Sequence, residues 1–450
     1  MSSVQIYSTV IFLVAIALIA TERVHKMYAA LMAALGMVLV GAVAPSEILG
    51  FIDIEILGVI FGIMLLVNGA EKSGIFRWLA VRILRVSRSP RMFAAILLVF
   101  TAFLSLFLNN IGAMLICASM TMVLTRALKM RPEVLLVYQA ILVDLGGMML
   151  LMSSIPNIIV AIAGGISFRM FLFSMAPLSV ILILVTVMIF LRYYFADSPS
   201  FLCPYTMMDG VEEQVAAGLE PDVTLDLRIT EFDEWIGFAI KELGPIEFGW
   251  RQAVASAVIT GTVLLFAFYD ILGLTPALVS LTGGFFMMAF IVKKPASMLS
   301  EIDLSTLVFL AGLFVSINGL QKVGVIDALS VAMLGLAGRY PENLPSTVMW
   351  LSAVASAVID NIPLTATFAP IIEMWVAGGM SPSIWWSLVV GANLGGNMTP
   401  IGSPSNIIVL GVSEREGCPI SVMQFFKICL PLTLIHLVIS MVYLSLLNGF

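Results

Sequence analysis

Two pairs of polar residues interrupt long apolar stretches of this 450-residue chain: Asn109-Asn110, and Asp360-Asn361 followed by Ile362-Pro363. Two longer interruptions follow them, Ser153-Ser154-Ile155-Pro156-Asn157 and Thr399-Pro400-Ile401-Gly402-Ser403-Pro404-Ser405-Asn406. Amides and hydroxyls donate to and accept from a solute without changing it covalently. Proline removes a backbone donor and clashes with the preceding turn, so each longer break frees carbonyls and N–H groups. Freed backbone groups are costly in hydrocarbon unless they are buried in protein or line a cavity. The chemistry these residues suit is reversible coordination. Asn109, Asn110, Ser153, Ser154, Asn157, Asn361, Thr399, Ser403 and Asn406 are the expected substrate ligands.

Asp144 and Asp360 are the acids set deepest in apolar sequence. An ionisable group at membrane depth is a functional candidate by default. With Asn393, these two are the expected sites of ion or proton coupling, since a carboxylate there can carry H+ or share Na+ with a second one. Asp360 also has a plainer reading, as the cap of the helix that follows it. Gly58, Gly62, Gly391 and Gly395 read as close-packing points between helices. Lys72 and Lys322, each near a helix end, read as snorkelling side chains. Cys117 is the one thiol near the expected site and reads more simply as a small buried hydrophobe.

Nothing in the sequence points to catalysis. HExxH, Walker A, GxSxG and GxGxxG motifs are absent. Cys117, Cys203, Cys418 and Cys429 lack metal-ligand or disulfide-framework spacing, and His25 and His436 lie far apart. The expectation is a non-enzymatic protein with no metal site and no cofactor besides the ion it moves.

The elements that must hold these residues are transmembrane helices. Hydrophobic residues make up 60% of the chain and charged ones 11%, against roughly 25% charged in a soluble domain. The mean hydropathy is +1.08. Each span needs roughly 20 apolar residues, and the chain has room for about a dozen. The first stretch, 4–20, lacks a basic region and a cleavage site and reads as a retained span. The net charge of −6 is uneven: 196–247 holds twelve acids and two bases, or −10, and the rest 20 bases and 16 acids, or +4. This acidic linker, 196–247, separates two apolar halves, 1–195 and 248–450.

Basic residues mark the cytoplasmic side. Arg23 and Lys26, then the run from Lys72 to Arg91, put both termini outside and the acidic linker in the cytoplasm. Bases flank 92–125 at both ends, which conflicts with a single pass and resolves as a re-entrant hairpin with Asn109-Asn110 at its tip. A second hairpin, 345–375, enters from the opposite face, and 133–164 and 382–412 read as broken spans. The expected fold is an all-α polytopic membrane protein with about ten transmembrane helices and two opposed re-entrant hairpins.

The halves also correspond in residues. Asn68-Gly-Ala-Glu-Lys-Ser-Gly74 matches Asn318-Gly-Leu-Gln-Lys-Val-Gly324 at an offset of 250, and Asn109-Asn110-Ile111 matches Asp360-Asn361-Ile362 at 251. Asp144-Leu-Gly-Gly147 and 153–160 match Asn393-Leu-Gly-Gly396 and 402–409 at 249. Opposite expected orientations make this an inverted repeat, an architecture of secondary transporters with a midplane site. The acid changes place within it. The first half has amides at its tip and Asp144 in its broken span; the second has Asp360 at its tip and Asn393 in its span.

Three blocks carry a family resemblance: Phe107-Leu-Asn-Asn-Ile111, Ile359-Asp-Asn-Ile-Pro-Leu-Thr-Ala-Thr367, and Gly391-Ala-Asn-Leu-Gly-Gly-Asn-Met-Thr-Pro-Ile-Gly-Ser-Pro-Ser-Asn-Ile-Ile-Val409. They resemble the ion transporter superfamily, most closely its arsenite/antimonite permease branch, which includes sodium/proton antiporters, and more distantly the divalent-anion/sodium symporters. The resemblance spans nearly the whole chain. It implies an elevator-type transporter, in which hairpins and broken spans move against a scaffold that often dimerises. Members of the branch often have Asp-Asn at the first tip and Gly-Asp-Pro-Pro-Asn at the first break, so two family acids are replaced here.

The function expected from this is proton-motive-force-driven efflux of arsenite/antimonite across the plasma (inner) membrane of a prokaryote. The alternatives are a Na+/H+ antiporter on the same fold and a sodium- or proton-coupled anion or dicarboxylate transporter. Expected partners are a small inorganic substrate, coupling H+ or Na+, the lipid bilayer and a second copy of the chain as a homodimer. Any ATP coupling would need a separate cytoplasmic ATPase subunit; nucleic acid is not expected.

Overall fold

In a computed structural model the described residues are 2–21, 23–86, 89–108, 110–127, 132–194, 248–292, 295–337 and 343–448. Asn109 and the acidic linker 196–247 therefore lie outside the described residues. Within them the chain is helical, without a strand. The first half contributes α1 (Ser3–Ala20), α2 (Lys26–Leu39), α3 (Ile54–Ser73), α4 (Ile75–Val86), α5 (Pro90–Leu104), α6 (Asn110–Ala127), α7 (Pro132–Gly147), α8 (Ile155–Ala163) and α9 (Phe168–Tyr194). The second contributes α10 (Trp250–Phe268), α11 (Pro276–Ile291), α12 (Leu304–Lys322), α13 (Val325–Ala337), α14 (Leu344–Ser356), α15 (Asn361–Ala377), α16 (Ile384–Gly395), α17 (Pro404–Arg415) and α18 (Val422–Asn448). Each helix of the first half thus has a counterpart nine numbers on.

The same local devices start and stop the counterparts. Asp53 accepts from Ile56 N at 2.9 Å to cap α3, and Asp303 accepts from Thr306 N at 3.1 Å to cap α12. Gly74 and Gly324 then adopt φ of 80° and 78°, the left-handed region open to glycine, and turn the chain directly into α4 and α13.

Among the described residues six helices are long and apolar enough to cross a membrane: α1, α3, α9, α10, α12 and α18. The apolar helices α2 and α11 are shorter, at 14 and 16 residues. The remaining two expected spans are interrupted: α7 stops at Gly147 before α8, and α16 stops at Gly395 before α17. Large apolar side chains such as Leu13, Leu35, Phe173 and Phe285 are more than half exposed, as a lipid-facing surface requires.

Packing between the halves is reciprocal. Helix α2 lies on α12 and α3 on α11; α6 lies on α17 and α15 on α8. Within the halves, α5 packs on α7 and α14 on α16. Glycine permits the close approaches. A Cβ on Gly62 would fall 2.4 Å from the Leu281 backbone nitrogen, and one on Gly395 would fall 2.2 Å from the Ala353 carbonyl oxygen. Gly58 and Gly391 meet Ala277 and Ser352 in the same way, so all four glycines act as close-packing points.

Lys72 and Lys322 do more than snorkel. Lys72 pairs with Glu301 at 2.7 Å and Lys322 with Glu47 at 2.6 Å, each lysine clasping an acid of the other half. The hydrogen bond from Lys322 holds the Glu47 carboxyl below its usual range. A carboxyl lowered on folding stabilises above the ordinary carboxylate range and loses that contribution as pH falls through its lowered value. Lys322→Gln is therefore expected to lower the melting temperature slightly at neutral pH. The difference should vanish once acid protonates Glu47, as thermal unfolding in detergent would show.

Candidate functional site

The two tips and two breaks meet between the halves. Each tip is tied to the last turn of the helix that precedes a break. Ser105 Oγ donates to the Val143 carbonyl at 2.6 Å, and its counterpart Ser356 Oγ to the Ala392 carbonyl at 2.7 Å. A second tie reaches each tip from the break: Ser153 Oγ donates to Leu106 O at 2.7 Å, and Thr399 Oγ1 to Ala357 O at 2.5 Å. Asn157 Nδ2 donates to the carbonyls of Gly147 and Leu150, and Asn406 Nδ2 to those of Gly396 and Thr399, all at 2.8–2.9 Å. These amides satisfy carbonyls that the broken helices leave free.

A cavity of about 310 Å³ lies against this cluster. The first residues of α6, α8, α15 and α17 (Asn110, Ile155, Asn361 and Pro404) all line it, with Ser153 and Ser154. Opposite them stand Asn68 and Glu71 of α3 and Thr306 of α12, with Lys26 also in the wall. Four helix N-termini around one cavity bring positive potential that favours an anion or a strongly polarised oxygen, set against the carboxylates of Glu71, Glu301 and Asp303 in the same wall. The residues of this opposite wall are not marked in the sequence; Asn68 and Glu71 belong to the repeated block but carry no break.

The expected ligands divide accordingly. Asn110, Ser153, Ser154 and Asn361 line the cavity in this conformation. Asn157, Thr399, Ser403 and Asn406 stand behind its wall, holding tips and breaks in shape. Asp360 caps α15 by accepting from Ile362 N at 3.0 Å, and is half-buried. Cys117 is buried away from the cavity lining.

Asp144 also sits behind the wall and is 1% exposed. Asn110 Nδ2 donates to its Oδ1 at 2.5 Å, Ser403 Oγ to Oδ1 at 3.1 Å, and Ser405 Oγ to Oδ2 at 3.4 Å. All three donors are neutral, and no ion pair to it occurs among the described residues.

The repeat exposes a mismatch here. In the first break, Asn157 Oδ1 accepts from Asn393 Nδ2 at 3.0 Å. The counterparts are Asn406 and Asp144. Asn406 is fully buried, and among the described residues no donor reaches its Oδ1. An ionised carboxylate has no hydrogen to offer it, whereas a protonated one does.

Comparison with known proteins follows this geometry. Residues 16–391 match the family described as citrate transporter. The chain belongs to that family. The wider superfamily read from the motifs stands, and the match is not specifically to its arsenite/antimonite branch. Relatives of the citrate transporter family member described here include an uncharacterised transporter of Mycobacterium tuberculosis, 29% identical over 98% of both chains. The 46 kDa membrane protein of Mycobacterium leprae is 27% identical over 98% of both. The human P protein is 26% identical over 95% of this chain and 58% of its own length. Among solved structures, the YdaH transporter of Alcanivorax borkumensis aligns with a TM-score of 0.57 at 14% identity, covering 90% of this chain and 88% of that one. MtrF of Neisseria gonorrhoeae aligns at 0.54 and 16%, covering 91% and 83%. The chain is therefore an integral membrane transporter with a fold shared by these carriers.

Proposed function

We propose that this protein is a proton-coupled secondary transporter that moves a small carboxylate anion across the plasma membrane by an elevator motion of its hairpins and broken spans. The observation that carries the reading is Asn110, which lines the cavity and donates to the buried carboxylate of Asp144 at 2.5 Å. One amide thus touches both the substrate space and the coupling acid. An anion in the cavity repels the Asp144 carboxylate and competes for Asn110, so anion and proton favour each other's binding. Such coupling is reciprocal by linkage, and its sign is that of symport. The four helix N-termini supply the anion's counter-charge, and the family's description as citrate transporter supports a carboxylate.

Arsenite or antimonite efflux, implied by the motif resemblance, has one observation on its side: the polar side chains that the tips and breaks present to the cavity are amides and hydroxyls. Proteoliposomes separate the readings. Labelled citrate and smaller dicarboxylates should accumulate when the acid side is the substrate side, and arsenite and Na+ should not. Accumulation of arsenite or Na+ with indifference to carboxylates would sink the proposal. Asn361→Ala should raise KM about ten- to a hundred-fold with kcat little changed, as for one lost hydrogen bond to a charged group.

A further inference from the structure

Helix α18 carries its polar residues on a face turned into the protein. Cys429, Thr433, His436 and Ser440 follow one another at helical spacing, and all four are fully buried. Leu430, Leu434, Val438 and Val442, between them, are 38% to 51% exposed and face lipid. The buried face meets α9, α16, the turn Gly396–Met398 and α7.

Hydroxyls in membrane helices ordinarily bond back to a carbonyl one turn away, as Thr186 Oγ1 does to Leu182 O at 2.7 Å. Along this face they do not. Eleven buried side-chain nitrogen or oxygen atoms among the described residues have no hydrogen-bond partner, and seven of them belong to Ser179, Ser387, Asn397, Thr433, His436 and Ser440. Two hydrogen bonds join this face to α9. His436 Nε2 bonds Thr186 Oγ1 at 2.9 Å, and Tyr443 bonds the Ser174 carbonyl, which sets Ser179 level with Ser440. At one end α18 packs on α7, the helix that carries Asp144. At the other, Ser387 and Met441 line a second cavity of about 570 Å³, edged by Ser346, Ser381, Ser383 and Ser445.

This second cavity opens at the far end of the molecule from the first. Helix α12 starts at the rim of the substrate cavity, by Asp303 and Thr306, and ends at Lys322. Beyond it, α13 is tied to the last turns of α15 by Trp375 Nε1 donating to Ser330 Oγ at 2.7 Å. The second cavity includes the start of α14, where the same hairpin opens.

Buried polar groups without protein partners are the usual seats of internal water, which bonds two to four of them at once. We propose that this seam holds a chain of water molecules that conducts protons between the second cavity and Asp144 once the substrate site has moved to open on that same side of the membrane. The proposal rests on Asp144 as the coupling acid. It accounts for Asp144 being absent from the substrate cavity wall: protons reach it from behind, without passing the substrate. The titratable groups on the elements packed around Asp144 are Cys117 on α6, Cys429 and His436 on α18, and Asp360 before α15. Glu133 and Tyr138 lie on its own helix, and Arg91, Arg169, Arg192, Glu414, Arg415 and Lys427 occupy helix ends. His436 is thus the basic group placed along the seam.

The test compares Ser440→Leu, which fills the seam near its mouth, with Ser440→Ala, which leaves it open. Both are reconstituted and assayed for citrate uptake driven by a pH gradient and for citrate exchange at equal pH. Ser440→Leu should slow gradient-driven uptake about tenfold and spare exchange, and Ser440→Ala should behave as wild type. Hydroxyl-radical labelling in heavy-oxygen water provides a readout independent of transport. Cys429 and His436 should take label in the wild type, whereas Met37, equally buried, should not. Unlabelled Cys429 and His436 would overturn the seam's hydration. Gradient-driven uptake lost in Asp144→Asn but intact in Ser440→Leu would overturn the path alone, and wild-type uptake indifferent to the gradient would overturn both path and coupling acid.

Discussion

Asp144→Asn is expected to abolish proton-driven accumulation, by about a hundredfold or more, while substrate exchange survives. The asparagine offers Asn406 Oδ1 the hydrogen that a carboxylate lacks, as Asn393 offers one to Asn157 at 3.0 Å in the other half. It still accepts from Asn110 and Ser403. The variant therefore imitates the protonated carrier and folds, but it cannot release a proton and return. Exchange needs only the loaded form to shuttle, so it continues. Counterflow against gradient-driven uptake in proteoliposomes checks this directly. Loss of both activities in a well-folded variant would make Asp144 a substrate ligand instead. Asp144→Ala should be worse for stability, because it takes the shared acceptor from Asn110 and from the buried Ser403 and Ser405, at about 1–3 kcal/mol for a buried group left unpaired.

The largest structural effect is expected from Gly395→Leu. A Cβ at this position lies 2.2 Å from the Ala353 carbonyl oxygen and 2.6 Å from its Cα, both backbone atoms that no rotamer change can move. The α14–α16 contact would have to open, and with it the tie from Ser356 to Ala392 that holds the second tip. Overpacking of a tight core costs about 1–3 kcal/mol even where side chains can yield, and here they cannot. The expected outcome is loss of monodisperse protein in detergent and of all transport. Gly411→Ala is the control, since nothing lies within 4 Å of its added Cβ. Its melting temperature should match the wild type. Gly146, 2.2 Å from the Ala102 oxygen, occupies the corresponding place in the first half and should be as intolerant.

The breaks that frame the candidate site are legible in the sequence. Pro156 and Pro404 announce helix starts, because proline fits the first turn and breaks what precedes it, and α8 and α17 begin there. The duplicated asparagines marked both breaks. What the pattern could not say is where an amide spends its hydrogens. Asn157 and Asn110 look alike in sequence, yet Asn157 satisfies two carbonyls of its own break while Asn110 faces the cavity. His436 carries no signal of its own, because a lone histidine in an apolar helix belongs to no motif. Its spacing from Cys429, Thr433 and Ser440 was visible; the burial of that face was not.

Apolar composition, the paired breaks and the internal repeat settle that this is an all-helical membrane transporter whose tips and breaks come in matched sets, since each of these is local in the chain. Which half completes which site is not local. The arm of one hairpin, α6, packs on the broken helix α17 of the other half, and α15 on α8. That exchange brings Ser403 and Ser405 onto Asp144 across some 260 residues of chain. It also turns the polar face of α18 inward. The acidic stretch 196–247 joins the halves, but the contacts that unite them are made by helices whose mutual fit no single segment encodes. The physical reason is that a helix can choose between lipid and protein for either face, and that choice depends on what packs beside it.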